Sequence, residues 1–462
     1  MTGKELIISA NRNEETARAA WLPFVGCHGG FLIGKTATEY LQSAELMVAG
    51  AKRARELYKP DGLPVCFDLQ VEAEVLGCNL YWADETPPSV TTHPLEQGMT
   101  LQTLPTFEES KGRIPVVLSA LRMMKKEMGD EVALYGLLCG PFTLALHLVG
   151  NNIFLQLFDE PDEVKLVMDY CASIACAMSD WYLRDGADVI AVVDPMTSQI
   201  SPEMFEEFVM PYVNKVFDHI RAKKGLSALF VCGDVTRNLE PMLRTTCDAL
   251  HVDEQIDMVA LRGMAAKANK AFGGNIPLTV ALLLGTEDDC KRAVLKLIDT
   301  CGTKGFILAP GCDLPFNVPP QNLEAVAAMV HDAYARDAVR AIERVTSGDT
   351  FDDILAPDFT TRGVVRLDLV TLDSASCAPC QYMLDAAQRA AAAAKTGNVK
   401  VDIHEHKIKV REGIGMMIRL GVTALPTICI DGLVSFVSII PDQPTLIAAI
   451  EKAAVTKNLP VL

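Results

Sequence analysis

Short apolar segments rich in β-branched residues alternate with long amphipathic segments from residue 20 to about residue 340 of the chain. The short segments predict strands, and the long ones have the apolar spacing of helices. About eight strand–helix units favour a (β/α)8 TIM barrel, with an open doubly wound sheet as the alternative. The predicted strands are Trp21–Gly26, Pro64–Asp68, Val132–Leu138, Asp188–Asp194, Ser227–Cys232, Asp248–Asp253, Ala271–Ile276 and Gly305–Pro310. The predicted helices include Ala44–Tyr58, Val116–Met128, Asp162–Asp185, Pro202–Lys223, Thr286–Thr300 and Leu323–Asp337.

The pattern changes after residue 346. Residues 347–362 are polar and aperiodic, which predicts a linker. Residues 363–462 then alternate strand and helix patterns again over about 100 residues, an ordinary domain size. The sequence therefore predicts a barrel in residues 1–346 followed by a small α/β domain.

Composition narrows the function classes. The net charge of −17 argues against nucleic-acid binding, which usually needs a basic surface. No uncharged apolar run of about 18 residues predicts a membrane span, and the N-terminus lacks the apolar segment of a signal peptide. We therefore expect a cytoplasmic protein, in which the 14 cysteines are thiols, metal ligands or redox pairs rather than structural disulfides.

Polar side chains end the last four predicted barrel strands. They are Cys232, the pair Asp253 and Glu254, Asn275, and Cys312. Catalytic groups of such barrels lie at these strand ends, and neighbouring ends are only about 5 Å apart, so the side chains can converge. Two thiolates and a carboxylate suit zinc, which also lowers the pKa of a bound thiol. The alternative is that both cysteines are small buried residues of the core.

Five longer segments carry a resemblance that spans most of residues 20–340. They are "GLPVCFDLQVEAEVLGC", "GLLCGPFTLALHLVG", "LRDGADVIAVVDPMTSQISPEMFEEFVMPYV", "LFVCGDV" and "GFILAPGCDLPFNVPPQNLEAV". Together they resemble the uroporphyrinogen decarboxylase superfamily, which implies a TIM barrel. Its members include porphyrinogen decarboxylases and corrinoid-dependent methyltransferases such as the methylcobamide:coenzyme M methyltransferases.

The resemblance favours the methyltransferase branch. The decarboxylases have an arginine-rich stretch for substrate carboxylates, whereas the comparable "AAWLPFVGCHGGFLIG" contains no arginine. Asp68 matches the pyrrole-binding aspartate of the decarboxylases. The resemblance makes Asp68 and Asp194 catalytic candidates, although Asp194 could instead be a helix or loop cap.

The methyltransferase branch binds zinc through a His-x-Cys pair and a later cysteine. Cys232 and Cys312 match the two cysteines, and Asp253 or Glu254 lies near the acidic ligand of related enzymes. Phe230 replaces the histidine. Three explanations stay open: a substitute ligand such as His28 or His251, loss of the metal with two thiols remaining, or a metal-free methyl-donor site.

Further pocket residues follow from the same resemblance. Pro141 and Phe142, in the strand-to-helix turn "CGPFTLA", are expected to line the cofactor pocket together with His28 and Asn275. For His28, an ordinary loop hydrogen bond is the alternative.

The C-terminal domain carries a second resemblance. "SCAPC" places Cys377 and Cys380 after a strand and at the start of a helix, where the helix N-terminus lowers a thiol pKa. With Pro426 in "GVTALPTICIDG", this resembles the thioredoxin and glutaredoxin fold. The resemblance implies a cis proline beside the CxxC motif, Cys377 as nucleophile and Cys380 as resolving thiol. A zinc half-site and a redox-inactive docking domain are the alternatives.

The sequence thus predicts a corrinoid-dependent methyltransferase. The methyl group would move between a cobalamin and a small methyl donor or thiol acceptor, with zinc activating the thiol. No "DxHxxG" motif is present, so the cobalamin would be free or on a separate corrinoid protein. The rivals are a decarboxylase-like enzyme and a non-catalytic barrel with a redox tail. The tail would keep thiols reduced, pass electrons to the corrinoid, or dock a partner.

Overall fold

The computed structural model describes residues 1–333, 335–336, 351–375, 378–408, 410–422 and 425–458. The chain divides into two units, Met1–Val345 and Thr346–Leu462. Within the second unit, side chains of the predicted linker contribute to a core: Phe351, Ile354 and Phe359 pack against a cluster that includes Val370 and Ile414. The described part of that segment is therefore packed onto its own unit.

Eight parallel strands of the first unit form a single sheet in which the chain order is kept from one neighbour to the next. The two end strands, β1 and β2, approach each other as well, since the Asp61 amide donates to the Trp21 carbonyl at 2.9 Å. The sheet is thus a nearly closed barrel, which confirms the predicted fold class. The strands of this unit are β1 (Ala20–Trp21), β2 (Gly62–Pro64), β3 (Leu80–Tyr81), β4 (Ser89–Val90), β5 (Ala133–Cys139), β6 (Val189–Val193), β7 (Leu226–Val231), β8 (Ala249–Val252), β9 (Ala271–Ile276) and β10 (Phe306–Pro310). Of these, β3 and β4 form a separate antiparallel pair.

Helices connect the barrel strands. The longest is a 25-residue helix between β5 and β6, which starts at Pro161 and ends at Asp185, before the left-handed Gly186. The helices of this unit are α1 (Gly3–Asn11), α2 (His28–Phe31), α3 (Ala37–Leu41), α4 (Ala44–Tyr58), α5 (Val71–Val75), α6 (Ile114–Met128), α7 (Pro141–Val149), α8 (Ile153–Asp159), α9 (Pro161–Asp185), α10 (Pro202–Met204), α11 (Met210–Ala222), α12 (Leu239–Leu243), α13 (Met258–Ala268), α14 (Glu287–Cys301) and α15 (Pro320–His331).

Prolines explain some of the differences between the predicted and the observed elements. The first predicted strand extends too far, because Pro23 has no N–H to continue the ladder. The second predicted strand begins two residues late and ends four residues beyond the end of β2. The predicted helix Pro202–Lys223 is split by a π-type turn at Phe205–Val209. Pro211 cannot donate to the carbonyl four residues earlier, which disfavours a regular α-helix at that point.

The barrel interior is filled by aromatic rings. Phe24 and Phe230 stack with their centroids 4.6 Å apart, and Phe67 contacts both edge-on. The His251 ring lies 5.6 Å from Phe24 and 5.8 Å from Phe230. Cys232 and Cys312 pack on this cluster, so the two cysteines lie at the edge of the apolar core.

The second unit contains a mixed four-stranded sheet. Its strands are β11 (Val364–Thr371), β12 (Lys400–Lys407), β13 (Thr427–Ile430) and β14 (Leu433–Val437), in the order β12-β11-β13-β14. Only the β11–β12 pair is parallel. The helices of this unit are α16 (Ala378–Ala393), α17 (Arg411–Arg419) and α18 (Gln443–Asn458).

Within the described residues, no helix has both the length and the apolar character needed to cross a membrane.

Candidate active site

Two half-buried cysteines meet at the barrel mouth, which we define as the carboxyl ends of the barrel strands and the loops that follow them. Cys232 directly follows β7 and Cys312 comes two residues after β10, with β8 and β9 between those strands. The structure joins the two cysteines by a disulfide bond, with their Cα atoms 5.9 Å apart. The structure therefore shows the pair oxidised, whereas the sequence left metal ligation, free thiols and a redox pair open.

The turn after β8 holds both cysteine-bearing turns. The Gly233 amide, next to Cys232, donates to Asp253 Oδ2 at 2.9 Å. On the other side, Gly311 packs so tightly that a Cβ there would lie 2.5 Å from the Glu254 amide nitrogen. Asp253 and Glu254 thus fix the positions of the two turns.

The second oxygen of Asp253 and one oxygen of Glu254 also accept backbone hydrogen bonds. Asp253 Oδ1 accepts from the Gln255 amide at 3.1 Å, and Glu254 accepts from the Leu278 amide. Burial raises the pKa of Asp253, and it raises the pKa of Glu254 to about 7. Asn275 supports the same turn, because its side-chain amide donates to the carbonyls of Asp253 and Ile256 at 2.9 and 2.8 Å.

Charged groups occupy the opposite side of the barrel mouth, after β2. Arg113 donates to Asp68 Oδ2 at 2.5 Å and to Glu74 Oε2 at 2.7 Å, and its guanidinium lies over the Trp82 ring. The Gln70 amide donates to the other Asp68 oxygen at 2.8 Å. The Asp68 side chain is fully buried, so this ion pair is shielded from water.

Glu72 is a buried carboxyl beside this ion pair. Its Oε1 accepts from the Cys139 amide at 3.2 Å, and its Oε2 has no hydrogen-bond partner among the described residues. Burial raises the pKa of Glu72 to about 8, because little around it stabilises the charged form. The side chain therefore retains a proton at neutral pH.

Asp194 caps the helix that carries Pro141 and Phe142. Its carboxylate accepts from the amides of Phe142 and Thr143 at 3.1 and 2.8 Å and from the Thr143 hydroxyl at 2.6 Å. Phe142 is fully buried in the first turn of α7. Burial raises the pKa of Asp194 to about 6. These contacts are those of a helix cap, which the sequence analysis gave as the alternative to a catalytic role for Asp194.

His28 has both ring nitrogens occupied. Nδ1 lies 2.8 Å from the Phe316 carbonyl and Nε2 lies 2.7 Å from the Tyr58 hydroxyl. The ring is fully buried, and burial lowers its pKa to about 4. No nitrogen of His28 is left for a metal or a cofactor.

Comparison with known proteins places the barrel in a family. Residues 2–333 match the family described as "Uroporphyrinogen decarboxylase (URO-D)". The chain belongs to this family. Methylcobamide:CoM methyltransferase MtbA of Methanosarcina mazei is 31% identical over 61% of this chain and 82% of its own length. Methylcobamide:CoM methyltransferase MtaA of Methanosarcina barkeri is 29% identical over 66% and 89%. A solved "methyltransferase from Methanosarcina mazei" superposes with a TM-score of 0.65 at 26% identity, covering 74% of this chain and all of that one.

The zinc that the family resemblance implies does not fit this URO-D chain. Cys232 and Cys312 bond to each other, Phe230 offers no donor atom, and the acids of the β8 turn accept backbone hydrogen bonds. His251 lies among Phe24, Phe230 and Tyr135, and neither ring nitrogen has a partner in the described part of the chain. Across the same residues, no group of three or more histidines, cysteines and acids could hold a metal ion.

Sequence reasoning missed Arg113 and Glu72. Arg113 precedes α6 in an aperiodic polar segment that gives no pattern signal. Its guanidinium is neutralised by Asp68 and Glu74. The signal for Glu72 was a carboxylate in the apolar segment "VEAEV", where an acid needs a specific reason to be buried.

In the second unit, Cys380 lies in the first turn of α16. It is buried, and its sulfur accepts a hydrogen bond from the Leu372 amide at 3.4 Å. Cys377 lies outside the described residues. The Leu425–Pro426 peptide bond is cis.

Proposed function

We propose that this chain is a corrinoid-dependent methyltransferase. Its barrel would move a methyl group between a cobalamin, free or bound to a separate corrinoid protein, and a small molecule. The observation that carries the proposal is the similarity to the Methanosarcina methylcobamide:CoM methyltransferases, which this chain matches over 82% and 89% of their lengths. The family match, over residues 2–333, covers the barrel that holds the candidate site.

The relatives' names pair a methylcobamide with CoM, which is a thiol, and this supports a thiol as the small molecule. A methyl group leaves a corrinoid for an electron-rich atom, and a thiolate is the strongest nucleophile that such acceptors commonly provide. The acceptor would bind at the barrel mouth, between the Cys232–Cys312 side and the Arg113–Asp68 side. There, the buried Arg113–Asp68 pair and the neighbouring buried Glu72 would shape that side of the acceptor site.

Zinc is not part of this proposal, because the described residues do not provide its donors. The residues of the chain would instead act by positioning. Asp253 and Glu254 hold the two cysteine turns, Asp194 holds the first turn of α7, and the buried Arg113–Asp68 pair fixes the loop after β2.

We further propose that the second unit is a thioredoxin-like thiol–disulfide domain. Its support is the mixed sheet, the helix α16 that follows β11, and the buried Cys380 sulfur that accepts from the Leu372 amide. Cys377 would be the attacking thiol and Cys380 the resolving one. The domain would supply reducing equivalents to thiols or to the corrinoid.

The test is methyl transfer by the purified full-length chain, reduced and kept anaerobic. Methylcobalamin is incubated with 2-mercaptoethanesulfonate, with 2-mercaptoethanol, and without a thiol. The loss of methylcobalamin absorbance and the mass of the methylated thiol are measured. We expect protein-dependent methylation of at least one thiol, and a lower rate in Cys312→Ser, because Cys312 lies on one side of the proposed acceptor site.

Two controls make the result decisive. Cys176→Ser changes the only other half-buried cysteine among the described residues, on α9, and should keep the wild-type rate. The Methanosarcina mazei MtbA enzyme is run in parallel. If that enzyme methylates a thiol and this chain does not, with free methylcobalamin or with a methylated corrinoid protein, the proposal is wrong.

A further inference from the structure

We infer that Cys232 and Cys312 are a reversible dithiol–disulfide pair built into the barrel mouth. This inference goes beyond methyl transfer and does not depend on it, because it concerns the oxidation state of two residues of the chain. It starts from the disagreement between the zinc site that the family resemblance implies and the donors that the structure provides.

The geometry suits a disulfide without rearrangement of the backbone. The Cα atoms of the two residues are 5.9 Å apart, within the usual range of about 4.4 to 6.8 Å. The two cysteines are 80 residues apart in sequence and follow strands separated by two others, so only the folded barrel brings them together.

The surrounding turns keep the two sulfurs adjacent in either oxidation state. Gly233 is hydrogen-bonded to Asp253, and Gly311 packs against the Glu254 amide. Neither contact uses a sulfur atom. The turns therefore stay in place when the disulfide opens, and the two thiols remain close enough to re-form it.

Access distinguishes this pair from the other cysteines. Cys232 and Cys312 are half-buried. Among the other cysteines that the structure describes, Cys176 is also half-buried and the rest are buried. Burial raises the thiol pKa of, for example, Cys66, Cys139 and Cys171, which makes those residues poor nucleophiles. A reductant in solution can thus reach the partly exposed Cys232–Cys312 bond, and accessible disulfides are more readily reduced than buried ones.

A dithiol reduces the Cys232–Cys312 disulfide in two thiol–disulfide exchange steps. One thiolate of the dithiol attacks one sulfur of the pair, the Cys232–Cys312 bond breaks, and the other cysteine leaves as a thiolate and takes up a proton. The second thiolate of the dithiol then attacks the mixed disulfide and releases the second cysteine. The pair gains two electrons and two protons, and the dithiol becomes a disulfide.

The experiment maps thiols on the full-length wild-type chain under native conditions. Protein equilibrated with oxidised dithiothreitol, and protein equilibrated with reduced dithiothreitol, are each quenched with iodoacetamide and digested for mass spectrometry. We expect a Cys232–Cys312 linked peptide in the first sample only. The second sample should carry alkyl groups on both cysteines, and the linked peptide should return after re-oxidation. Because the peptides are assigned by residue, oxidation of Cys377 and Cys380 is read separately.

Serine variants test which cysteines form the linked peptide. Cys232→Ser and Cys312→Ser should each abolish the linked peptide, and Cys176→Ser should leave it unchanged. Three results would overturn the inference: a linked peptide that resists reduced dithiothreitol until urea is added, no linked peptide at any dithiothreitol ratio, or stoichiometric zinc that both serine variants lose. None of these readouts requires a corrinoid, so failure of the proposed methyl transfer would leave this test intact.

Discussion

The two sides of the barrel mouth hold their polar groups by different means. After β7 and β10, a covalent bond joins two half-buried sulfurs, and the nearby acids accept backbone amides. After β2, a fully buried carboxylate pairs with Arg113, and a neighbouring carboxyl, Glu72, stays protonated because of burial. The cysteine side should therefore respond to redox reagents, and the charged side to the loss of a charge. Each side also contains a buried carboxyl with a raised pKa, Glu254 and Glu72 respectively.

Asp194, after β6, and Asp253, on the cysteine side, have a role in common. Asp194 accepts from the first turn of α7, and Asp253 accepts from the turns that follow β7 and β8. Both are buried carboxylates at strand ends that satisfy backbone N–H groups. An acid at the end of a barrel strand can thus shape the site without touching the substrate.

The largest effect is expected from breaking the charged side with Arg113→Met. The substitution leaves the buried Asp68 carboxylate without its cation, which should lower the free energy of unfolding by about 3 to 5 kcal/mol. Urea unfolding followed by tryptophan fluorescence measures the barrel alone, because all three tryptophans, Trp21, Trp82 and Trp181, lie in the first unit.

The matched control is Arg53→Met. Arg53 pairs with Glu56 on the surface, where both side chains are about half exposed, and its loss should cost less than about 1 kcal/mol. Equal losses for the two variants would mean that the buried pair adds nothing beyond an ordinary surface contact, and the contrast between the two sides would disappear.

The next effect depends on pH and concerns Glu72→Gln. The pKa of Glu72 is about 8 in the folded chain, against an ordinary value of 4.5. Between these values the folded state keeps a proton that the unfolded state loses, so stability contributed by Glu72 falls as pH rises and is lost above pH 8. Glutamine cannot ionise and retains an oxygen for the Cys139 amide.

We therefore expect Glu72→Gln to be nearly neutral at pH 5 and more stable than the wild type at pH 9, by on the order of 2 to 5 kcal/mol. Urea unfolding at pH 5, 7 and 9 measures the difference. Glu56→Gln, on an exposed helix position, should show no such trend. A constant difference between Glu72→Gln and the wild type across this pH range would contradict the protonated state.

The sequence predicted the cysteine side better than the charged side, and the reason is physical. From β5 onward, parallel strands buried on both faces form nearly continuous apolar runs, so their ends and the polar residues there could be located. Cys232 and Cys312 were therefore expected to meet. Their covalent state was not predicted, because zinc-binding and disulfide-forming cysteines have the same strand-end pattern.

The charged side could not be assembled from the sequence. Arg113 and Asp68 are 45 residues apart, and Arg113 lies in an irregular segment without periodicity. The roles of Asp194 and Asp253 were open for another reason. An aspartate that caps a turn and one that binds a ligand look alike in sequence, and only the positions of nearby amides distinguish them.

The smallest effect should come from the cysteine side with Gly233→Ala. Gly233 has φ +94°, a region that alanine adopts with strain, and a Cβ there would lie 3.0 Å from Ser198 Oγ. We expect a loss of about 1 to 2 kcal/mol in the free energy of unfolding, from the same urea experiment. The shift of the adjacent Cys232 should also lower the yield of the Cys232–Cys312 linked peptide.

Gly263→Ala is the control. Gly263 is an exposed residue in the interior of α13 with open space around its Cα. Alanine there should stabilise the barrel by about 0.5 to 1 kcal/mol. If both substitutions shift stability in the same direction, or if Gly233→Ala leaves the linked peptide at its wild-type yield, the backbone of this turn does not position the cysteine pair.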